Sequence, residues 1–245
     1  GVEECFYLYL MRGLAKFGLH DLNGAREDIL QASAFIDSHR NLCDDQIEYP
    51  TDSEFLDIDK IVSIYPDWPF AYLARATARY DFEGTTNITE QLSDLIITMR
   101  LYEKEADYYG SGNNHEDETI ESIKHLANHF CAVEQITFSD YYSQDERINR
   151  SNDIIEKLTE FIEICPDWTE LYWHRGWFRE EPGDYQGAID DYNIVNRLDP
   201  SDGVAIYNRG DAKFKLGRFE EALIDFNRAV ELCPDRNFKP YENDN

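Results

Sequence analysis

Leu171-Tyr172-Trp173-His174-Arg175-Gly176, continued by Asp184-Tyr185-Gln186-Gly187-Ala188, Tyr192 and Pro200, is answered further on by a second stretch of the same design. That stretch runs Ile206-Tyr207-Asn208-Arg209-Gly210, Gly217-Arg218-Phe219-Glu220-Glu221-Ala222, Phe226, Ala229 and Pro234. Gly176 and Gly210 lie 34 residues apart, as do Ala188 and Ala222, and as do Pro166, Pro200 and Pro234 in turn. Each Gly precedes its Ala by 12 residues, and the N-terminus repeats that step with Gly13 and Ala25. A fixed period outranks element-by-element reading, because a short unit that cannot bury its own apolar face must bury it against its neighbours.

The unit reads as two helices and a turn. The first helix sets an aromatic one turn from the Gly (Tyr172 and Gly176; Tyr9 and Gly13), and the second follows its Ala with a large residue four on. Those pairs are Ala188 with Tyr192, Ala222 with Phe226 and Ala25 with Ile29. A spacing of four puts each pair on one helix face. Gly and Ala are needed where the two helices cross closely. Pro closes the second helix, since it cannot continue one and drives the residue before it out of the helical region.

This pattern resembles the tetratricopeptide repeat, whose period is 34. The resemblance covers 166–234 closely and 5–37 well. It is diluted between them, where Tyr65-Pro66-Asp67-Trp68 echoes Cys165-Pro166-Asp167-Trp168 but Ala76 takes the Gly place. The middle still has helical periodicity over 53–65, 88–108, 119–138 and 151–164, with breaks at 38–52, 83–86, 109–118 and 139–145. The expected fold is all-α: a single right-handed α-solenoid of stacked antiparallel hairpins over 1–245, of about eleven helices. Its expected parts are a repeat-like 5–37, irregular hairpins over 53–164, repeats at 167–200 and 201–234, and a tail at 235–245.

The units also align charges. Arg12, Arg175 and Arg209 each stand just before the Gly, and Asp28, Asp191 and Asp225 follow them by 16 residues. An Arg in a helix–helix groove is costly unless paired, so each is expected to reach its own Asp across the hairpin. Gripping an acidic ligand is the alternative use. Arg75 holds the same place before Ala76, but an insertion breaks the sixteen-residue spacing.

Composition bounds the function. The 245 residues carry 23 Lys+Arg against 50 Asp+Glu, a net charge of −27, so there is no basic footprint for nucleic acid or for an anionic membrane surface. With 42% hydrophobic residues, 16 Tyr and 14 Phe, the chain can still bury a core. Cys5, Cys43, Cys131, Cys165 and Cys233 are scattered and odd in number, with no CxxC pair. Reduced thiols and a cytoplasmic location are the expectation.

No phosphate-binding loop, nucleophile elbow, HExxH or dinucleotide fingerprint occurs, so no catalytic residue and no cofactor are expected. Glu121, His125 and His129 fall at i, i+4 and i+8 on one helix face, which raises a distant metal-binding or enzymatic alternative. Cys131 is turned away from that face, and His115 is expected in a solvated loop.

The resemblance implies a binding surface instead, because in such arrays the first helix of each hairpin lines a groove that takes peptides. Carried over by position, that surface holds Trp173, His174 and Trp177 on one helix and Tyr207, Asn208 and Asp211 on the next. Some of these proteins clamp acidic chaperone tails with Lys, Arg and Asn. Here Trp173 and Trp177 stand at the Lys and first Asn places and Asp211 adds negative charge, which argues against that use. The expected function is a non-enzymatic scaffold for a protein or peptide partner, basic or hydrophobic in character. The second expectation is an assembly subunit that self-associates, as a homodimer for instance, through its ends. Glu220, Glu221, Arg228 and Glu231 make the last helix partly polar, but no capping helix follows it.

Overall fold

A computed structural model describes residues 66–78, 87–109 and 115–234 continuously, together with residues 9, 12, 13, 16, 21, 24, 25, 27–29, 31, 59, 62 and 63. Among them the regular structure is entirely helical. The eight continuous helices are α1 (Pro69–Ala78), α2 (Ile88–Tyr109), α3 (His115–Tyr141), α4 (Gln144–Ile164), α5 (Thr169–Glu180), α6 (Tyr185–Leu198), α7 (Gly203–Lys215) and α8 (Phe219–Leu232). The chain divides into two compact units, 1–142 and 143–245, each described here by itself. Within each unit they pack in sequence order, α1 on α2 and α2 on α3 in the first and α4 through α8 in the second, the architecture expected of stacked helical repeats.

In the second unit the 34-residue period is also a period of local devices. Helices α4, α6 and α8 each end two residues before Pro166, Pro200 and Pro234. The turns inside the two hairpins use Gly183 (φ 84°) and Gly217 (φ 75°), left-handed positions that only Gly fills without strain. The carboxylate of Asp184 then accepts from the Gly187 N–H at 2.9 Å at the start of α6. Asp202 does the same for Val204 and Ala205 at the start of α7, at 2.9 and 3.0 Å.

Packing explains the Gly-to-Ala step. A Cβ on Gly176 would lie 2.9 Å from Cε1 of Tyr192, and one on Gly210 would lie 2.9 Å from Cε1 of Phe226. Each glycine is therefore the floor on which the opposite helix lays its ring. Tyr172, Ala188, Ile189, Tyr192, Val195, Ala205 and Ala212 form one core cluster that joins α5, α6 and α7. Fully burying a ring or branched chain of this kind stabilises by roughly 1.5–3 kcal/mol.

The first unit uses the same parts at looser spacing. Ala25 and Ile29 are fully buried, and a Cβ on Gly13 would lie 3.2 Å from Ile29 Cγ1. The hairpin α1–α2 buries Leu73, Ala76, Leu92, Leu95 and Met99, and α3 adds Ile123, Leu126 and Phe130. The Tyr72 hydroxyl donates to the Pro66 carbonyl at 3.1 Å, just as Tyr172 donates to Pro166 at 2.9 Å. The Pro-Asp-Trp echo in the sequence is thus a shared way of starting a first helix.

Three expected boundaries move. Helix α3 spans 115–141 rather than 119–138, and α4 begins at Gln144 rather than 151, so the break expected over 139–145 shrinks to Tyr142 and Ser143. The missed signal is Ser143-Gln144-Asp145-Glu146, a Ser-x-x-Glu start. The Glu146 carboxylate accepts from the Ser143 backbone N–H at 2.9 Å and from its hydroxyl at 2.6 Å, which holds the Glu146 carboxyl below its ordinary pKa. The break expected over 109–118 is narrowed likewise, since Tyr109 still belongs to α2 and 115–118 to α3. The expected helix 53–65 and the breaks at 38–52 and 83–86 fall mostly or wholly outside the described residues.

Candidate functional site

Among the described residues, one guanidinium–carboxylate pairing recurs four times. Arg12 Nε and Nη2 donate to Asp28 at 2.7 and 2.5 Å, Arg175 to Asp191 at 3.0 and 2.6 Å, and Arg209 to Asp225 at 2.9 and 2.6 Å. The fourth was not legible by spacing: Arg75 pairs with Asp94 at 2.9 and 2.6 Å across 19 residues rather than 16. All four are two-pronged, the geometry that suits a planar guanidinium. The four aspartates are no more than 3% exposed.

Each carboxylate in the regular units also meets a second cation one turn on. Lys16 reaches Asp28 at 3.0 Å, Arg179 reaches Asp191 at 2.8 Å and Lys213 reaches Asp225 at 2.7 Å. The third prong of the guanidinium runs backwards to the preceding helix. Arg75 Nη1 donates to Asp59 at 2.9 Å, Arg175 Nη1 to Thr159 at 3.1 Å and Arg209 Nη1 to Asn193 at 3.0 Å, every time 16 residues upstream. One guanidinium therefore ties three successive helices. The sequence contained this signal as polar residues at a constant step before each Arg.

Aromatic rings complete three of the four places. Arg12 lies 4.9 Å over the Tyr9 ring, Arg75 5.4 Å over Tyr72 and Arg175 5.6 Å over Tyr172, whereas Ile206 stands at that place before Arg209. The hydrogen bonds from Arg12 hold the Asp28 carboxyl below the ordinary aspartate range, with Lys16 adding to the effect.

The face expected to bind is carried by α5 and α7. Trp173, Trp177, Tyr207 and Asp211 are half-buried there, while His174 and Asn208 are each only 7% exposed. A ligand would therefore meet indole and phenol first. Trp173 also leans on the core cluster, and the Tyr207 ring stands 5.5 Å from that of Phe226, so both aromatics are braced by packing. Trp177 stands edge-on to the buried Phe178 at 5.0 Å.

Beside these rings lies a network that spacing did not reveal. Lys215 Nζ contacts Glu180 at 3.1 Å and Asp211 at 2.9 Å, and it lies 5.4 Å over the Tyr185 ring. The Tyr192 hydroxyl donates to Glu180 at 3.0 Å. Burial raises the Glu180 carboxyl pKa against the pull of Lys215 and Tyr192. Burial alone would lower the Lys215 ammonium, but Glu180 and Asp211 outweigh it and hold it above its usual value. The Asp211–Lys215 step of four was the available clue.

Glu121, His125 and His129 do not form a common site. Glu121 and His125 are exposed and Glu121 pairs with Lys124 at 2.9 Å, but His129 is 5% exposed. Among the described residues no three His, Cys, Asp or Glu side chains gather closely enough to hold a metal ion. Cys131 is buried and burial pushes its thiol pKa up, which makes it unreactive. The His115 side chain lies outside the described side chains, although the residue itself opens α3. No helix among the described residues is long and apolar enough to cross a membrane.

Hairpins stacked at a 34-residue step, with a glycine floor under each ring, define a helical-repeat protein. Residues 204–236 match the family model of the tetratricopeptide repeat. It is 31% identical over 80 residues to the small glutamine-rich tetratricopeptide repeat-containing protein 2 of Mycosarcoma maydis, covering 33% of this chain and 23% of that one. It is 29% identical over 106 residues to the heat shock protein sti1 homolog of Schizosaccharomyces pombe, covering 39% of this chain and 18% of that one. The chain thus spans less than a quarter of either relative. The solved structure of YrrB, a TPR protein with an unusual peptide-binding site, superposes with a TM-score of 0.48 at 15% identity, covering 93% of this chain and 86% of that one.

Proposed function

We propose that this protein is a non-enzymatic interaction scaffold that takes a peptide or protein segment along the α5–α7 face. The observation that carries the reading is the pair of half-exposed indoles one turn apart on α5, with Tyr207 at the matching place on α7. Rigid aromatics braced from behind lose little entropy on binding and supply large contact area. The flanking acids favour a basic or hydrophobic partner. The one Lys of that face is already held by Glu180 and Asp211, and Glu170 at the start of α5 is exposed. An acidic peptide would meet repulsion there.

The test is affinity capture from the native lysate by the immobilised chain, beside Trp177→Ala and Trp173→Ala/Trp177→Ala variants of unchanged helix content. The expected outcome is a partner whose affinity falls by about tenfold or more in the double variant, as for central aromatic anchors. An identical set of partners at equal strength on wild type and double variant would refute the assignment of this face.

A further inference from the structure

Trp173 and Tyr207 are 34 residues apart, as are Trp177 and Asp211, so each pair holds one place on neighbouring first helices. Within each helix the two residues are four apart and share a face. Three half-buried rings and one half-buried carboxylate are thereby set side by side on α5 and α7.

The charges near these rings differ in what they have left to offer. Among the described residues, every Lys and Arg of α5 and α7 is committed to a carboxylate. Arg175 and Arg179 hold Asp191, Arg209 and Lys213 hold Asp225, and Lys215 holds Glu180 and Asp211. Glu180 is spent too, because one oxygen takes the Tyr192 hydroxyl at 3.0 Å and the other takes Lys215 at 3.1 Å. Asp211 is not. Its Oδ2 meets Lys215 at 2.9 Å, while its Oδ1 has no partner among the described residues and its side chain is 24% exposed. Glu170, one turn before Trp173, is exposed and has no ion pair among them either.

We propose that the α5–α7 face recognises a cationic side chain, the guanidinium of an Arg or the ammonium of a Lys in the partner segment, and that Asp211 sets this preference. The inference rests on the peptide-binding reading of that face and narrows its partner from basic or hydrophobic to basic. The cation lies against the rings of Trp177 and Tyr207 and donates to Asp211 Oδ1. Ring faces attract a cation through their quadrupole, and the carboxylate adds a charge-assisted hydrogen bond. An apolar side chain in the same place would cover Oδ1 and leave it without water or partner, which is costly. An anionic one would find no cation that is not already paired.

Selection of phage-displayed random twelve-residue peptides on the immobilised full chain tests this, followed by fluorescence anisotropy of the selected peptides made synthetically. The expected peptides share an Arg or a Lys at a common position. Replacing that Arg by citrulline, or that Lys by acetyl-lysine, keeps the shape, removes the charge and weakens binding about tenfold or more. Asp211→Asn, in which Lys215 keeps Glu180, weakens the basic peptides about tenfold and leaves the neutral versions unchanged. Asp211→Glu retains the charge and restores most of the affinity. Glu170→Gln costs only a few-fold, and that loss fades as salt rises.

Peptides that depend on Trp177 but share no basic residue, or that bind equally well after the neutral replacement, would overturn the proposal and leave the peptide-binding reading standing. Failure to select any peptide weakened by Trp177→Ala would overturn both. Equal loss in Asp211→Asn for the charged and neutral peptides would also overturn it, because Asp211 would then support the fold of the face rather than meet the cation.

Discussion

In the second unit the step from Arg to Asp is 16 residues at both Arg175 and Arg209, whereas in α1–α2 of the first unit it is 19. The glycine floor changes as well, from Gly176 and Gly210 to Ala76. Yet Arg75 still binds its buried aspartate with two prongs, still reaches an acceptor 16 residues back and still sits over a tyrosine ring. More residues between the two helices shift the aspartate along the sequence while the pair keeps its geometry. The strut is thus a property of the helix contact, and sequence spacing reports it only while the turn length is fixed.

The comparison makes the two aspartates unequal in what their loss costs. Asp191→Ala leaves Arg175 and Arg179 together without their buried carboxylate; Arg175 keeps only the Thr159 hydroxyl, and Arg179 keeps the Gly187 carbonyl and the half-exposed Asp184 at 3.6 Å. Removing one partner of a buried pair typically costs about 3–5 kcal/mol. Asp94→Ala leaves Arg75 with the carboxylate of Asp59, which is largely exposed and can follow it. A loss of about half as much is expected there. Hydrogen exchange resolved by helix separates the two: Asp191→Ala deprotects α5–α6, and Asp94→Ala deprotects α1–α2 to a smaller degree. Equal effects would mean that the Asp59 contact compensates nothing.

Acid is expected to distinguish the units next. The Asp28 carboxyl is held below its ordinary pKa by Arg12, so its contribution is present above the unfolded aspartate pKa of about 4 and is lost as pH falls through the lower folded value. Glu180 has the opposite sign. Burial raises its pKa, so its ionised form costs stability at neutral pH, and protonation on acidification relieves that cost. Between pH 7 and pH 3, exchange protection should therefore fall around Gly13–Ile29 before it falls around the contact of α5 with α7. Exchange measured at several pH values on one sample checks the order. Simultaneous loss in both places would show that acid unfolding is governed by groups other than these two.

The same contrast explains how much was legible beforehand. The fold was readable because Gly176, Gly210, Ala188 and Ala222 repeat where two helices must touch, and a contact of that kind tolerates only small residues. The three sixteen-step pairs were readable for the same reason. Asp94 was not, since the greater number of residues between Ala78 and Ile88 hid its register. Lys215 with Glu180 was not, because contact between neighbouring first helices spans 35 residues and depends on how repeats stack rather than on any one repeat. The aromatic face was legible by position only. That Trp173 shares in the core while Asn208 and His174 sink beneath the surface follows from side-chain packing, which a repeat alignment does not encode.

The smallest expected effect is the most specific to the stacking of one repeat on the next. Asn193 is exposed in α6, and its side-chain oxygen accepts from Arg209 Nη1 at 3.0 Å across the joint between repeats. Asn193→Ala removes that prong but leaves both bonds to Asp225 intact, so no buried charge is stranded. The cost should stay below about 1 kcal/mol, as for other partly solvated contacts. Asn193→Asp should restore or exceed the wild-type value, because Asp59 already serves Arg75 in that role. The gain should shrink as salt rises. Urea unfolding of the three proteins at low and high salt reads this directly. A loss of several kcal/mol in Asn193→Ala would mean that the third prong, rather than the Asp225 pair, holds one repeat to the next.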